Sequence, residues 1–234
     1  MKFLLNILFF TLLSTTLYSQ QGAVIYNKHL SSESKDEVTN QYVRKAIIKL
    51  SEREYKLEFS EKEASYKLDK KMSTDSNPIV ETFADGFADF QGEVYFDLKN
   101  KKTIHKIDFS GETFLINKNE IEWTLSRDTL RIDDYLCYKA TTNRIIHNSE
   151  GEHKLVVTAW YTPDIPLNFG PDGYGGLPGL ILRLENNGTV TSLKRIQFSD
   201  KKDIKIVIPT KGKKVDEIEF NEVISERFES RKDN

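Results

Sequence analysis

Cysteine is almost absent from this chain: its 234 residues contain one, Cys137. An intramolecular disulfide is therefore excluded. The neighbours Tyr135, Leu136 and Tyr138 fit a buried, inert thiol better than a redox or nucleophilic centre. An excess of one charge is also lacking. The 34 basic and 36 acidic residues are interspersed and leave a net charge of −2, which argues against a polyanion-binding face or a nucleic-acid partner. Beyond Leu13 no apolar run approaches the roughly 20 residues that a membrane-spanning helix needs. Catalytic signatures are missing too: there is no Gly-x-Ser-x-Gly, Walker loop, His-Glu-x-x-His or Cys-x-x-Cys. These absences point away from an enzyme, and neither a cofactor nor a metal is expected.

The N-terminus carries an address. Lys2 gives a short positive start, and Phe3 to Leu13 is apolar except for Asn6 and Thr11, as in the core of a signal peptide. Residues 1–19 are read as that peptide, with cleavage after Ser19. No cysteine lies near this point, so a lipoprotein anchor is not expected. The mature protein should be exported, to the periplasm or the outer surface of the cell, with no integral membrane span. The remaining residues, 20–234, are assigned to a single domain, since no linker divides them convincingly. A chain of that size can bury roughly 70% of its unfolded surface without staples.

Alternating apolar and polar residues dominate the mature chain. Val24–Tyr26, Val43–Leu50, Tyr55–Phe59, Tyr66–Leu68, Glu93–Phe96, Thr103–Phe109 and Thr113–Ile116 read as strands. Further strands are expected at Glu122–Leu125, Tyr138–Ile146, Leu155–Tyr161, Leu180–Leu184, Val190–Phe198 and Ile204–Ile208. Ser31–Asn40 and Lys70–Pro78 read as polar linkers. Gly111 and Asn187-Gly188 mark tight turns, because Asn and Gly tolerate positive φ. The duplicated Phe83-Ala84-Asp85-Gly86 and Phe87-Ala88-Asp89-Phe90 reads as an aromatic turn region packed on the sheet. Asp216 with Glu219 three residues on suggests the cap of a C-terminal helix, with Ile218, Val223, Ile224 and Phe228 on its apolar side. The expected fold is mainly β: a curved antiparallel sheet, half-open and barrel-like or bowl-like, with a C-terminal helix. A two-sheet sandwich is the rival.

One stretch departs from this regularity. Between Pro163 and Gly179 lie four of the six prolines and five of the twelve glycines. Each proline fixes φ and each glycine supplies conformations that other residues resist. Such a connection is either functional or disordered, and its aromatic residues argue for an ordered, shaped surface loop. The hexapeptide Gly176-Leu177-Pro178-Gly179-Leu180-Ile181 resembles the signature of the GLPGLI family, exported proteins of Bacteroidetes with no established biochemical role. Trp123, Asp134-Tyr135-Leu136-Cys137-Tyr138-Lys139-Ala140, Ala159 to Pro166 and Gly170-Pro171 stand in that family's order and approximate spacing. The family usually has a bulky residue plus Lys-Phe where this chain has Asp172-Gly173-Tyr174-Gly175, so a more flexible and more acidic loop tip is expected here. The resemblance extends distantly to the bowl-shaped N-terminal domain of some bacterial glycan amidases, which again implies a curved sheet. Fold alone does not fix function.

Candidate binding residues cluster in this loop. Trp160, Tyr161, Phe169 and Tyr174 offer aromatic surface for a sugar or peptide, or else core packing. Leu177 and Pro178 belong to a hinge that seats the loop or to a ligand-contacting rim. Asp164, held between two prolines, is a rigid turn former or the best acid that a hydrolase reading could claim, with Asp172 beside it. His147 and His153 around Glu150 and Glu152 have a loose metal-loop look, but a polar hairpin turn explains them more simply. Asp133-Asp134 reads as a turn. The favoured function is a non-catalytic exported binding or envelope-accessory protein that holds a peptide, glycan or envelope protein. The alternatives are a periplasmic lipid or lipoprotein carrier and, less favoured, a hydrolase.

Overall fold

Twelve strands form one sheet in the order β12-β6-β5-β4-β3-β2-β1-β11-β10-β9-β8-β7, curved but not closed. The computed structural model describes residues 21–31, 40–70, 77–148, 151–199 and 204–232. The signal segment, most of both polar linkers and the tip of the histidine hairpin lie outside them. The first half of the sheet contains β1 (Gly22–Leu30), β2 (Glu54–Phe59), β3 (Glu63–Asp69), β4 (Glu93–Asp97), β5 (Lys102–Phe109) and β6 (Glu112–Lys118). The second contains β7 (Thr124–Ile132), β8 (Tyr135–Asn148), β9 (Gly151–Thr162), β10 (Leu180–Asn186) and β11 (Thr189–Phe198), and β12 (Lys213–Asp216) closes the list. Neighbours pair antiparallel except β12, which runs parallel to β6. No described helix is long and apolar enough to cross a membrane.

The turns follow their residues. Asn187 and Gly188, both at positive φ, join Asn186 to Thr189, and Ser110 and Gly111 do the same between β5 and β6. Asp133, at φ 50°, and Asp134 form the turn between β7 and β8. In the first two turns both residues have positive φ, which matches the twist of the flanking strands.

Two segments read as non-helical are helices. Val43–Leu50 belongs to α1 (Gln41–Glu52), whose cap Asn40 accepts hydrogen bonds from the Tyr42 and Val43 amides. Val43, Ala46, Ile47 and Leu50 recur at helical spacing, and Ala46 and Leu50 are fully buried. The Phe-Ala-Asp repeat lies largely in α2 (Pro78–Ala88), capped by Asn77 with Pro78 in its first turn. Its four-residue period puts Ala84 and Ala88 on one face, and Ala84 and Val80 pack on Ala46 of α1. The expectation that this region packs onto the sheet holds through Phe87 and Phe90. Residues 204–210 form no strand, and the short, lysine-rich β12 takes up the edge pairing instead.

The C-terminal helix α3 (Glu217–Lys232) has the capping box its spacing implies. The Glu219 amide donates to Asp216 Oδ1 at 2.8 Å, and the Asp216 amide donates to Glu219 Oε2 at 2.9 Å. Phe220, rather than Ile218, turns inward, 5.2 Å from the Phe114 ring and 5.9 Å from Phe109. Ile218 is exposed, Val223 and Ile224 pack beside Phe220, and the Phe228 side chain lies outside the described residues.

Candidate functional site: the folded-in loop, its ion pair and the adjoining groove

The segment between β9 and β10 packs against the sheet along its length. Phe169 is fully buried on Phe96, ring centroids 5.5 Å apart, a burial that contributes about 1.5–3 kcal/mol. The Leu180 amide donates to Ile165 O at 3.0 Å and the Ile181 amide to Phe169 O at 3.1 Å. Asn168 Nδ2 donates to Leu177 O at 2.7 Å, and Trp123 Nε1 donates to Gly175 O at 2.9 Å. Gly179, at φ 153°, is so close to the loop's start that a Cβ would stand 2.0 Å from Thr162 O. Only glycine accepts both that conformation and that contact.

The seven candidate residues therefore separate. Tyr161, Phe169, Tyr174 and Leu177 are buried, the last three between the loop and the sheet. Trp160 is partly buried with the Lys139 ammonium 6.0 Å from its ring, while Asp164 and Pro178 are exposed. The hexapeptide is a seat: Leu177, Leu180 and Ile181 point into the core and Pro178 lies where β10 is about to begin. The loop tip expected to be more flexible and more acidic is turned inward. Pro171–Gly173 forms a single 3-10 turn, Gly173 rests beside Val94, and the Asp172 side chain is almost wholly buried.

There Asp172 meets Lys28. The Lys28 Nζ lies 2.8 Å from each carboxylate oxygen and donates a hydrogen bond to Ala88 O at 2.8 Å. It also sits 4.8 Å from the Tyr55 ring centroid and 5.3 Å from that of Phe90, a geometry favourable for a desolvated cation. Thr191 Oγ1 donates to Asp172 Oδ2 at 3.3 Å. The side chain of Lys28 has no exposed surface. Burial lowers its pKa, with Asp172 opposing the change, and burial together with the Asp172 charge raises the pKa values of Tyr26 and Tyr66. Tyr26 donates to Ile181 O at 2.8 Å, which ties the same cluster to β10.

Lys28 escaped the sequence reading although a signal was present. On β1, Val24, Tyr26, Lys28 and Leu30 share one face, and all four are buried. One charged side chain on an otherwise apolar face of a strand demands a partner. Its partner, 144 residues away, has no local mark.

Beyond the Tyr55 and Phe90 rings a groove of about 570 Å³ opens to solvent. Arg53, Lys67, Asp69, Lys70, Asp85, Glu93, Lys106 and Asp108 supply its charges. Four of these form two close ion pairs: Arg53 Nη1 to Asp85 at 2.7 Å, and Lys67 to Glu93 at 3.2 Å. Phe90 is held by stacking on His105, centroids 5.6 Å apart, and His105 Nε2 lies 2.6 Å from Gln91 O. Burial pushes the His105 pKa down, so its neutral form donates to that carbonyl. Arg144 clamps the Asp89 carboxylate, to which Asn186 Nδ2 also donates at 3.2 Å, fixing the end of α2.

Cys137 is fully buried and its thiol pKa is pushed up to about 11 by burial. His147 pairs with Glu152 and Ile146 with His153 across β8 and β9, so the two histidines stand on adjacent rungs of the ladder. Glu150 lies outside the described residues. Among the described residues no group of three or more His, Cys, Asp or Glu side chains could hold a metal.

The architecture defines a class: a mainly β protein built on one long, curved, unclosed sheet with a loop folded onto it. Residues 123–183 match a family described as "Protein of unknown function (Porph_ging)". That stretch runs from Trp123 through the loop to β10. No curated protein matches the chain significantly. Crystal structures of PNGF-II in two space groups share the fold, with TM-scores of 0.55 and 0.51 at 17% and 16% identity. Each likeness covers 88% of this chain and 33% of the other, so this chain spans about a third of the proteins it resembles.

Proposed function

We propose that this is an exported, non-catalytic binding or envelope-accessory protein of the GLPGLI type, acting in the periplasm or at the cell surface. Its ligand, a peptide, a glycan or a segment of an envelope protein, is held in the groove beside Tyr55 and Phe90. The observation that carries this reading is the groove itself. At about 570 Å³ it lies within the usual size of a ligand site, and Arg53 and Glu93 are fixed there by ion pairs to Asp85 and Lys67. Two of the lining carboxylates, Asp85 and Glu93, are engaged with cations rather than converging as an acid–base pair, which favours binding over hydrolysis. The space beneath the loop is filled by Phe169, Tyr26 and Tyr66, which favours a surface ligand over a lipid carried inside the sheet. The loop serves this reading as the wedge behind the groove rather than as its rim.

Native mass spectrometry of protein isolated gently from the periplasm tests the proposal. A co-purifying peptide or glycan supports it. A co-purifying acyl chain would restore the carrier reading, and a clean apo mass would shift the role toward a protein partner docking on the loop where Gly176 and Pro178 are exposed.

A further inference from the structure

Lys28 and Asp172 stand in the geometry of a reaction as well as of an ion pair. The Lys28 Nζ lies 2.8 Å from both carboxylate oxygens. The carboxyl carbon between them is therefore within the roughly 3–3.5 Å of a near-attack geometry. The last side-chain torsion of an aspartate is soft, so a small rotation turns the face of the carboxyl group toward the amine. Asp89, the other acid acting on Lys28, is committed to Arg144 and Asn186, which leaves Asp172 as the electrophile.

The surroundings suit amide formation. The Lys28 side chain has no exposed surface and that of Asp172 is 8% exposed, with the Tyr55 and Phe90 rings beside the ammonium. Buried charges tend to neutralise, and burial lowers the Lys28 pKa. One proton passing from ammonium to carboxylate leaves a neutral amine, the nucleophilic form, facing a neutral acid. Two hydroxyls are placed to stabilise the oxygen charge that develops as the amine adds. Thr191 Oγ1 donates to Oδ2 at 3.3 Å, and hydrogen bonding to Asp172 contributes to the raised pKa of Tyr66. In the product the amide N–H keeps the hydrogen bond that Nζ now makes to Ala88 O at 2.8 Å, and the amide oxygen keeps a hydroxyl donor. Two buried charges, whose desolvation offsets their attraction, are removed.

We infer that Lys28 and Asp172 are the site of a self-formed covalent cross-link, an amide between Nζ and the Asp172 carboxyl carbon. The N–C bond forms and one C–O bond breaks. Of the ammonium's three protons, one stays on the amide nitrogen and two leave with the released oxygen as water. No oxidant, reductant or second substrate takes part. The link joins β1 permanently to the loop before β10, 144 residues away. With a single cysteine the chain cannot staple itself by a disulfide, and an amide does so in any redox environment. The cross-link does not depend on what the groove binds, so it stands or falls independently of the proposed function.

Intact mass under denaturing conditions, followed by tryptic mapping, tests this on protein kept folded at neutral pH until its mass is constant. The wild type should be lighter than its sequence by one water molecule. Trypsin should no longer cleave after Lys28, and the peptide that contains it should be joined to the one carrying Asp172, which runs from Leu155 to Arg183. Lys28→Met should show no such deficit. That variant keeps Asp172-Gly173, so an equal loss of water there would trace the deficit to a succinimide at the Asp-Gly pair and overturn the cross-link. A wild-type chain of full mass, cleaved after Lys28, would overturn it as well. The peptide map needs no variant, so it decides even if Lys28→Met does not fold.

Discussion

The Lys28 ammonium and the Asp172 carboxylate, 144 residues apart in sequence, meet at 2.8 Å inside the core. This contact fastens the loop before β10 to the face of β1 and stands directly behind the Tyr55 and Phe90 rings. The loop is therefore part of the structure that shapes the groove.

Removing one partner should be far worse than removing both. Lys28→Met leaves a carboxylate buried without its cation and should cost about 3–5 kcal/mol. Adding Asp172→Asn, which tolerates positive φ, should recover a large part of that loss. Urea unfolding of the two single variants and the double variant gives the coupling directly. Additive effects would show that the pair is not coupled.

The hexapeptide should be intolerant of a single methyl group at its second glycine. Gly179→Ala places a Cβ against Thr162 O in a backbone region that alanine avoids. Strain alone should cost about 1–3 kcal/mol. The variant should show a lowered Tm and faster amide exchange at Leu180 and Ile181, while Gly111→Ala, which meets no neighbouring atom, should leave those amides unchanged.

Acid should loosen the wall of the groove through His105. Its pKa is lowered in the folded state, mainly by burial. The unfolded chain then takes up the proton first as pH falls below about 6.5. Stability from the neutral ring is complete above that value and declines as pH drops toward the folded-state pKa. Lys118, Asp172 and Glu217 also act on this ring. Compared with His105→Phe, the wild type should lose more stability between neutral and mildly acidic pH, measured by urea unfolding.

Cys137 should report unfolding rather than react in the native state. The thiolate is the nucleophile, and here the thiol is buried with its pKa pushed up to about 11. An aromatic disulfide reagent should label it at a rate that follows urea-dependent opening. Rapid labelling of native protein would place the thiol at the surface.

Much of the fold was legible because strands with one buried face repeat every two residues, and Asn187-Gly188 and Asp216…Glu219 are local chemistry with local outcomes. The helix α1 was misread because Val43 to Leu50 is rich in β-branched and alternating residues; the decisive signals were Asn40 and the spacing of Ala46 and Leu50. In α2 the four-residue repeat was visible, but its helical meaning depends on Ala46 of α1 packing against it. The strand β12 has only four residues, two of them lysine, and owes its existence to the β6 edge. The loop's rigidity was readable from its prolines and glycines. Its inward direction was not, since that depends on a lysine distant in sequence and on Val94 and Phe96 of β4. The groove is likewise assembled from side chains of α2, β2, β3, β4 and β5 and of the turns between them, with no contiguous motif.

The claim that the groove, rather than the loop's outer surface, holds the ligand is tested most directly by hydrogen exchange on protein isolated with its ligand and again after the ligand is stripped. Protection at Lys67–Asp69, Gln91–Glu93 and Lys106, abolished by Lys67→Glu/Lys106→Glu and kept in Trp160→Ala, is the predicted result. Protection confined to Trp160, Asp164 and Pro178, and lost in Trp160→Ala, would contradict it.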